Sequence, residues 1–306
     1  MQAIFRNRWL PFILLLPTLI ILVLFLYYPI INTFNLSFYQ AAPNGIDLTW
    51  VGLRNYERLL DLQIQQTERG LVFRGTYFVV LLRSLGFSGA IVLGGLTISL
   101  AFAMLANQKV RGIRLYRTLL IWPYAISPAI VGVIFLFLFN PVVGVVNYFW
   151  NLIFQTRPNW LGDPVLTPFL VIMASIWKNL GYNIIFFLSG LQNINTELLE
   201  AASIDGAGRW KRFRHVTLPL LSPITFFLVI TNLTYSFFDL FGTIDILSGP
   251  GPQNSTTVLI YNLYRDLRVN HNPGMAATQS VLLFILVAGL TIMQFRTTER
   301  GVTYNA

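Results

Sequence analysis

Five stretches of this sequence run for more than twenty residues without a charged side chain, and a sixth is interrupted only by a lysine. They are Trp9–Ile31, Ser84–Gln108, Thr118–Phe139, Val216–Phe238, Gly274–Phe295 and, around Lys178, Phe169–Ser189. A bilayer core is crossed by about 20 apolar residues in a helix, because lipid leaves every backbone polar group to be satisfied within the segment. The pattern predicts an all-α integral membrane protein with six spans at about 9–31, 84–106, 118–139, 169–189, 216–238 and 274–295. The whole of 1–306 is then one transmembrane domain. Charged residues make up 11% of the chain, against ~25% in a soluble domain. The polar coat that a water-facing fold needs is missing.

The first run follows Arg6 and Arg8 as a signal peptide would, but it is about twice as long as a signal core and no small-x-small site closes it. It reads as an uncleaved span. The third run stays uncharged through Thr156, yet Pro141, Gly144 and Asn147 predict that its later part leaves the span as an interfacial segment. Residues 1–9, 107–117, 191–214 and 296–306 carry 12 Lys/Arg in 55 residues, against 8 in 117 for 32–83, 140–168 and 239–274. The positive-inside rule therefore puts both termini in the cytoplasm. Trp9, Tyr27, Tyr28, Trp122, Trp150 and Trp177 are candidate interfacial anchors. Two rows of small residues, Gly86/Ala90/Gly94 and Gly95/Ser99/Ala103, predict close helix packing on the second span.

Known catalytic patterns are missing. There is no cysteine, which removes disulfides, thiolate metal sites and cysteine nucleophiles. None of the three lysines follows a glycine, as a phosphate-binding Gly-Lys-Ser/Thr loop requires, and no His-Glu-x-x-His occurs. Gly86-Phe87-Ser88-Gly89-Ala90 falls one residue short of a nucleophile elbow and lies inside a span, where it reads as packing. The 21 Lys and Arg leave a net charge of +9, but they are too scattered to track a phosphate backbone, so nucleic acid is not an expected partner. Chemistry is instead signalled by charge in the membrane. Lys178 sits mid-span, and Asn179, Tyr182 and Asn183 extend a polar stripe from it. Asp239, beyond Tyr235, is placed at the outer end of the fifth span. A solute pathway and a structural pair both account for these residues.

The most polar segment, EAASIDGAGRWKRFRHVTLPLLSP at 200–223, lies between the fourth and fifth spans. Asn195 or Thr196 caps a short helix to about Asp205, with Glu197 and Glu200 in its first turns, where the dipole favours carboxylates. Gly206-Ala207-Gly208 breaks it. A second short helix carries Trp210 and Phe213 among Arg209, Lys211, Arg212 and Arg214, and Pro219 opens the fifth span. Pieces this short are unstable alone in water, so a surface must hold them. That surface is a partner protein gripping small residues and aromatic anchors, or anionic lipid meeting the basic residues.

Glu-Ala-Ala-x-x-Asp-Gly-Ala followed by aromatics and Leu-Pro-Leu resembles the EAA motif of the permease subunits of ABC importers. WPYAISPAIVGVIFLFLFNP (122–141), SIWKNLGYN (175–183), NLTYSFFDLFGTID (232–245) and TTVLIYNLYRD (256–266) extend the resemblance, closest to glycerol-3-phosphate-type members and less close to maltose-type ones. The resemblance implies a type I importer permease fold in the bacterial inner membrane. It implies that Glu200, Ala201, Ala202, Asp205, Gly206, Ala207, Trp210, Phe213 and Pro219, within coupling helices at about 196–214, dock into a separate ATPase. Lys178, Tyr182, Asn183, Tyr235 and Asp239 would line the translocation pathway. The implied partners are a second homologous permease, two ATPase subunits carrying the ATP and Mg, and an external solute-binding protein; the chain itself would bind no cofactor and catalyse nothing. The rival expectation is a self-contained carrier or channel using Lys178, Asp239 and Asp245 as ion sites. The long loop 32–83 diverges from the family pattern.

Overall fold

The computed structural model describes residues 9–41, 47–61, 64–67, 70–73, 76–108 and 112–298. Both chain ends lie outside these residues, as do Arg6, Arg8, Lys109, Arg111 and Arg300, five of the twelve cations behind the predicted orientation. The helices are α1 (Phe12–Leu36), α2 (Arg54–Leu60), α3 (Thr76–Ala106), α4 (Ile113–Ala125), α5 (Pro128–Leu138), α6 (Val145–Phe154), α7 (Leu166–Asn193), α8 (Thr196–Ile204), α9 (Arg209–Arg212), α10 (Ser222–Leu247), α11 (Leu259–Arg268) and α12 (Pro273–Thr298). Five are long and apolar enough to cross a membrane, and the pair α4 and α5 makes a sixth if the two are taken as one broken span. The residues divide into two compact units, one of 1–77 with 263–284, the other of 78–262 with 285–306.

In the first unit the chain departs from all-helical structure. Four short strands form two antiparallel hairpins, β1 (Tyr39–Ala41) with β2 (Leu48–Trp50) and β3 (Ile64–Thr67) with β4 (Gly70–Phe73). Tyr39 faces Trp50 in the first ladder, and their rings meet edge-on at 5.3 Å. The fully buried Asn55 ties α2 to this hairpin by donating to the carbonyls of Ser37 (3.0 Å) and Tyr39 (2.8 Å).

In the second unit the observed spans differ from the expected ones where a charge or a proline has been satisfied or bypassed. The helix expected from Ser84 begins at Thr76, because Arg83 finds acceptors within the chain and does not end it. Its guanidinium donates to the backbone carbonyls of Asn254 (2.5 Å) and Thr257 (3.1 Å). The single span expected over 118–139 is bent by 104° between α4 and α5. Ser127 is extended (ψ 151°) and accepts from the Ile130 amide, since Pro128 disfavours a helical residue before it and starts a helix well itself. The fifth span is shifted towards higher numbers. It starts at Ser222, with Pro223 in its first turn, rather than at Val216 with Pro219, and runs on to Leu247 rather than stopping at Phe238.

Among the described residues, three stretches take the wider π-helical turn. In two of them the closing bond is Tyr28 N–H to the Val23 carbonyl and Leu218 N–H to the Phe213 carbonyl, and in each the next residue is a proline, Pro29 or Pro219. A proline ring collides with the carbonyl four residues back, and an inserted residue moves that carbonyl aside. The third π turn, Tyr235–Asp239 in α10, has no proline after it.

The packing is aromatic and small-residue in character, as lipid-surrounded helices require when apolar burial alone gives no drive. α6 is a separate short helix after Pro141, where the run was expected to leave the span. It is seated by Asn147, which accepts from Trp160 Nε1 (2.9 Å) and donates to the Asn140 carbonyl (3.0 Å). Trp150 and Trp177, both half-buried, pack against the buried cluster of Phe135, Phe139 and Trp160. Of the two small-residue rows on α3, Gly95, Ser99 and Ala103 are buried, whereas Gly86 and Ala90 are exposed.

Candidate functional site: a charged cavity and an exposed helical loop

The bend at Ser127 and the π turn in α10 face one cavity of about 330 Å³, lined by Tyr124, Pro128, Lys178, Asn179, Tyr182, Thr231, Asn232, Tyr235 and Asp239. Lys178 is 7% exposed. Its ammonium lies 5.0 Å from the centre of the Tyr124 ring and 5.4 Å from that of Tyr235, within reach of the negative faces of both rings. Asp239 lines the same cavity, yet no carboxylate among the described residues lies within 4.0 Å of Lys178 Nζ. The Tyr235 hydroxyl is buried beside those of Ser175 and Thr243. Because α10 continues past it to Leu247, Asp239 is an exposed residue within the helix and not, as the charge pattern suggested, at the end of the span.

Of the five residues singled out from the sequence, Lys178, Tyr182, Tyr235 and Asp239 line this cavity and Asn183 stands behind it. Asn183 is fully buried and exchanges two amide hydrogen bonds with Asn232, 2.7 Å and 3.2 Å long. This pair ties α7 to α10, and the Ser88–Ser236 hydroxyl contact of 2.6 Å adds α3. Tyr124, Thr231 and Asn232 were missed by the sequence reading. Tyr124 enters only through the bend at Ser127, and Asn232 only because Asn183 fixes it. A double-mutant cycle separates the amide pair from simple packing. Asn183→Leu and Asn232→Leu should each cost about 1–2 kcal/mol of stability, since each leaves an amide bare. The double variant should cost less than the sum in unfolding of the purified protein, and strict additivity would dismiss the pairing.

The segment 195–216 contains no buried residue. Asn195 Oδ1 accepts from the Glu197 amide (3.0 Å) and starts α8. At its other end Gly206 has φ +79°. The Gly206 amide donates to the Ser203 carbonyl and the Ala207 amide to that of Ala202, a paired closure that needs a left-handed residue between the two bonds. α9 follows, its Trp210 ring 5.4 Å from Phe213. Trp210 is 70% exposed and Ile204 87%. Ile204, with the exposed Leu198, was not among the anchors read from the motif. Glu200, Ala201, Asp205 and Gly206 are exposed and Ala202 and Ala207 half-buried. Pro219 lies beyond the π turn, in the short run Leu218–Leu220, and not in the first turn of the fifth span as expected.

A mostly helical chain with five or six apolar spans, a charged cavity between them and an exposed two-helix loop is a multi-pass membrane transport protein. Residues 95–296 match the family described as binding-protein-dependent transport system inner membrane component. The sn-glycerol-3-phosphate transport system permease protein UgpA of Pectobacterium atrosepticum is 41% identical over 99% of this chain and 98% of its own length. The protein of the same name from Escherichia coli O157:H7 is 40% identical, with 99% and 98% covered. A solved bacterial ABC transporter for the import of alginate superposes with a TM-score of 0.81 at 24% identity, covering 96% of each chain. Its complex with a pentasaccharide-bound periplasmic protein gives a TM-score of 0.80. The chain belongs to the inner-membrane components of binding-protein-dependent transport systems and has the type I ABC importer permease fold. It is the permease subunit of such an importer, which sets aside the self-contained carrier.

Proposed function

We propose that the chain forms half of the translocation pathway for sn-glycerol-3-phosphate, or a related sugar or polyol solute, in the bacterial inner membrane. The observation that carries the substrate is a lone buried lysine facing a cavity in a chain that matches glycerol-3-phosphate permeases along almost its full length. Lysine offers an ammonium point charge to a phosphate. On this reading the bent pair α4 and α5 counts as one of six spans and both termini are cytoplasmic. Lys178, Tyr182, Tyr235 and Asp239 line the pathway, with Asn183 behind them.

The segment 196–219 is then the handle of the ATPase. Two ATPase subunits holding ATP and Mg close beneath this chain and a second homologous permease, and an external binding protein delivers the solute. The permease itself is non-catalytic and holds no cofactor. Closure of the ATPases turns the pair from inward-open to outward-open, a two-state change biased from both ends with reciprocal coupling. The exposed Ile204 and Trp210 and the absence of any buried residue in 195–216 support a surface completed by a partner.

The test is co-purification from native membranes followed by reconstitution with the binding protein. A phosphate-loop ATPase and a second six-span chain should be recovered, and the vesicles should accumulate radiolabelled sn-glycerol-3-phosphate only with ATP inside. Recovery of the chain alone would refute the proposal, and uptake of neutral sugars without any of the phosphate would refute its phosphate substrate.

A further inference from the structure

Two donors on α7 that line the cavity are left without the partner that their burial calls for. The Lys178 ammonium rests on two tyrosine rings with no carboxylate of the described residues within 4.0 Å. Beside it on the same helix, Asn179 is 6% exposed, lines the cavity, and its Nδ2 is buried with no hydrogen-bond acceptor. Their neighbours are already committed, because the Asn183 and Asn232 amides satisfy each other. The free donors of α7 are therefore the Lys178 ammonium and the Asn179 amide, and the Tyr235 hydroxyl of α10 is a third buried group in the lining without a partner. The sole carboxylate in the lining, Asp239, is on the π turn of α10.

We infer that Lys178 and Asn179 form an anion-holding subsite for the phosphate of a small polyol phosphate, and that the negative charge of Asp239 in the same lining opposes the anion and limits how tightly it is held. The inference rests on the reading of this cavity as part of the pathway. A phosphate oxygen satisfies both orphaned donors at once, which a hydroxyl group cannot do for the charge. Asp239 and Lys178 together make the lining neutral, so the carboxylate repels a phosphate held at Lys178 and favours its release. Hydroxyl groups on the rest of the ligand can donate to Asp239, which orients the molecule with its anion at α7. A transport site has to bind well enough to admit its ligand and weakly enough to release it, and an internal counter-charge supplies that balance. The geometry assigns Asn179 a positioning role that the polar stripe alone did not reveal.

The test uses the intact complex co-purified from membranes. Equilibrium binding of radiolabelled sn-glycerol-3-phosphate is measured in detergent without the binding protein, and maximal uptake in vesicles with saturating loaded binding protein. Lys178→Gln should weaken binding by roughly tenfold or more, Lys178→Arg should retain most of it, and Asn179→Ala should weaken it by about threefold. Asp239→Asn should do the opposite in the two assays, tightening binding by roughly tenfold while lowering maximal uptake, the pattern of a lost release step. A merely structural Asp239 would lower both. Inorganic phosphate should displace the label and glycerol should not.

Unchanged binding in Lys178→Gln, or looser binding in Asp239→Asn, overturns the subsite while the wild-type control still transports glycerol-3-phosphate. If the wild-type complex transports a neutral sugar and no polyol phosphate, the substrate reading fails first and the subsite with it. Recovery of the ATPase with each variant shows that the assembly is intact.

Discussion

Gly206→Pro should lower solute uptake by the assembled transporter about 100-fold while leaving the chain inserted and folded, the upper end of what a coupling free energy of about 3 kcal/mol conveys. The reason is local and conformational. Gly206 has φ +79°, proline is fixed near −65°, and the substitution also removes the amide that donates to the Ser203 carbonyl at 3.1 Å. A Cβ at this position would meet nothing within 4 Å, so crowding plays no part. Gly206→Ala therefore isolates the backbone effect: it should cost roughly 1–2 kcal/mol locally, the usual penalty for a left-handed L residue, and reduce uptake far less. With the turn lost, α8 and α9 no longer present Ile204 and Trp210 from one folded surface, and no core contact is disturbed because every residue of 195–216 is at least partly exposed. The measurement is uptake in vesicles alongside recovery of the ATPase on tagged permease. Wild-type uptake by Gly206→Pro would remove this loop from the coupling path.

That turn could be read from the sequence because its signals are all local: a capping Asn195, carboxylates in the first turn, then glycine, alanine, glycine. The spans were legible for a related reason, since lipid punishes each bare charge residue by residue, and four of the five uninterrupted runs, with Lys178's helix, appear as single long helices. The same rule failed wherever a charge found a partner far along the chain. Arg83 stops a charge-free run but not a helix, because the carbonyls it needs lie about 170 residues away at Asn254 and Thr257. Asp239 was taken for the end of a span, although the helix passes through it to Leu247. The polar stripe Lys178, Asn179, Tyr182 and Asn183 was visible as a pattern on one helix. What sits opposite it was not, because Tyr124 arrives by a 104° bend and Asn232 by a hydrogen-bonded crossing between helices. The hairpins of 39–73 were hidden in the loop where the family resemblance was weakest, and ladders of three or four residues leave little alternation to detect.

Glycine packing shows the same limit, and Gly181 supplies the second large expected effect. The small-residue rows on α3 directed attention to Gly86, Ala90 and Gly94, yet a Cβ added at Gly86 or Gly89 would meet nothing within 4 Å. Gly181 belongs to no such row. A Cβ there would lie 2.6 Å from the Ile121 carbonyl oxygen and 2.7 Å from its Cα, atoms of the α4 backbone that no rotamer change can move. Gly181→Ala should therefore destabilise the purified chain by about 1–3 kcal/mol, the usual cost of overpacking, and Gly181→Leu should leave little folded protein. The function should suffer beyond the loss of stability. Lys178 is three residues before Gly181 on α7 and Tyr124 three residues after Ile121 on α4, so parting these backbones widens the 5.0 Å contact between ammonium and ring and the 5.1 Å contact of Tyr124 with Tyr182. Thermal unfolding in detergent, with Gly86→Leu as the control that should unfold like wild type, decides the point. Equal stability of Gly181→Leu and Gly86→Leu would mean that α4 and α7 do not touch through their backbones, and the cavity would lose the contact that brings Tyr124 to Lys178.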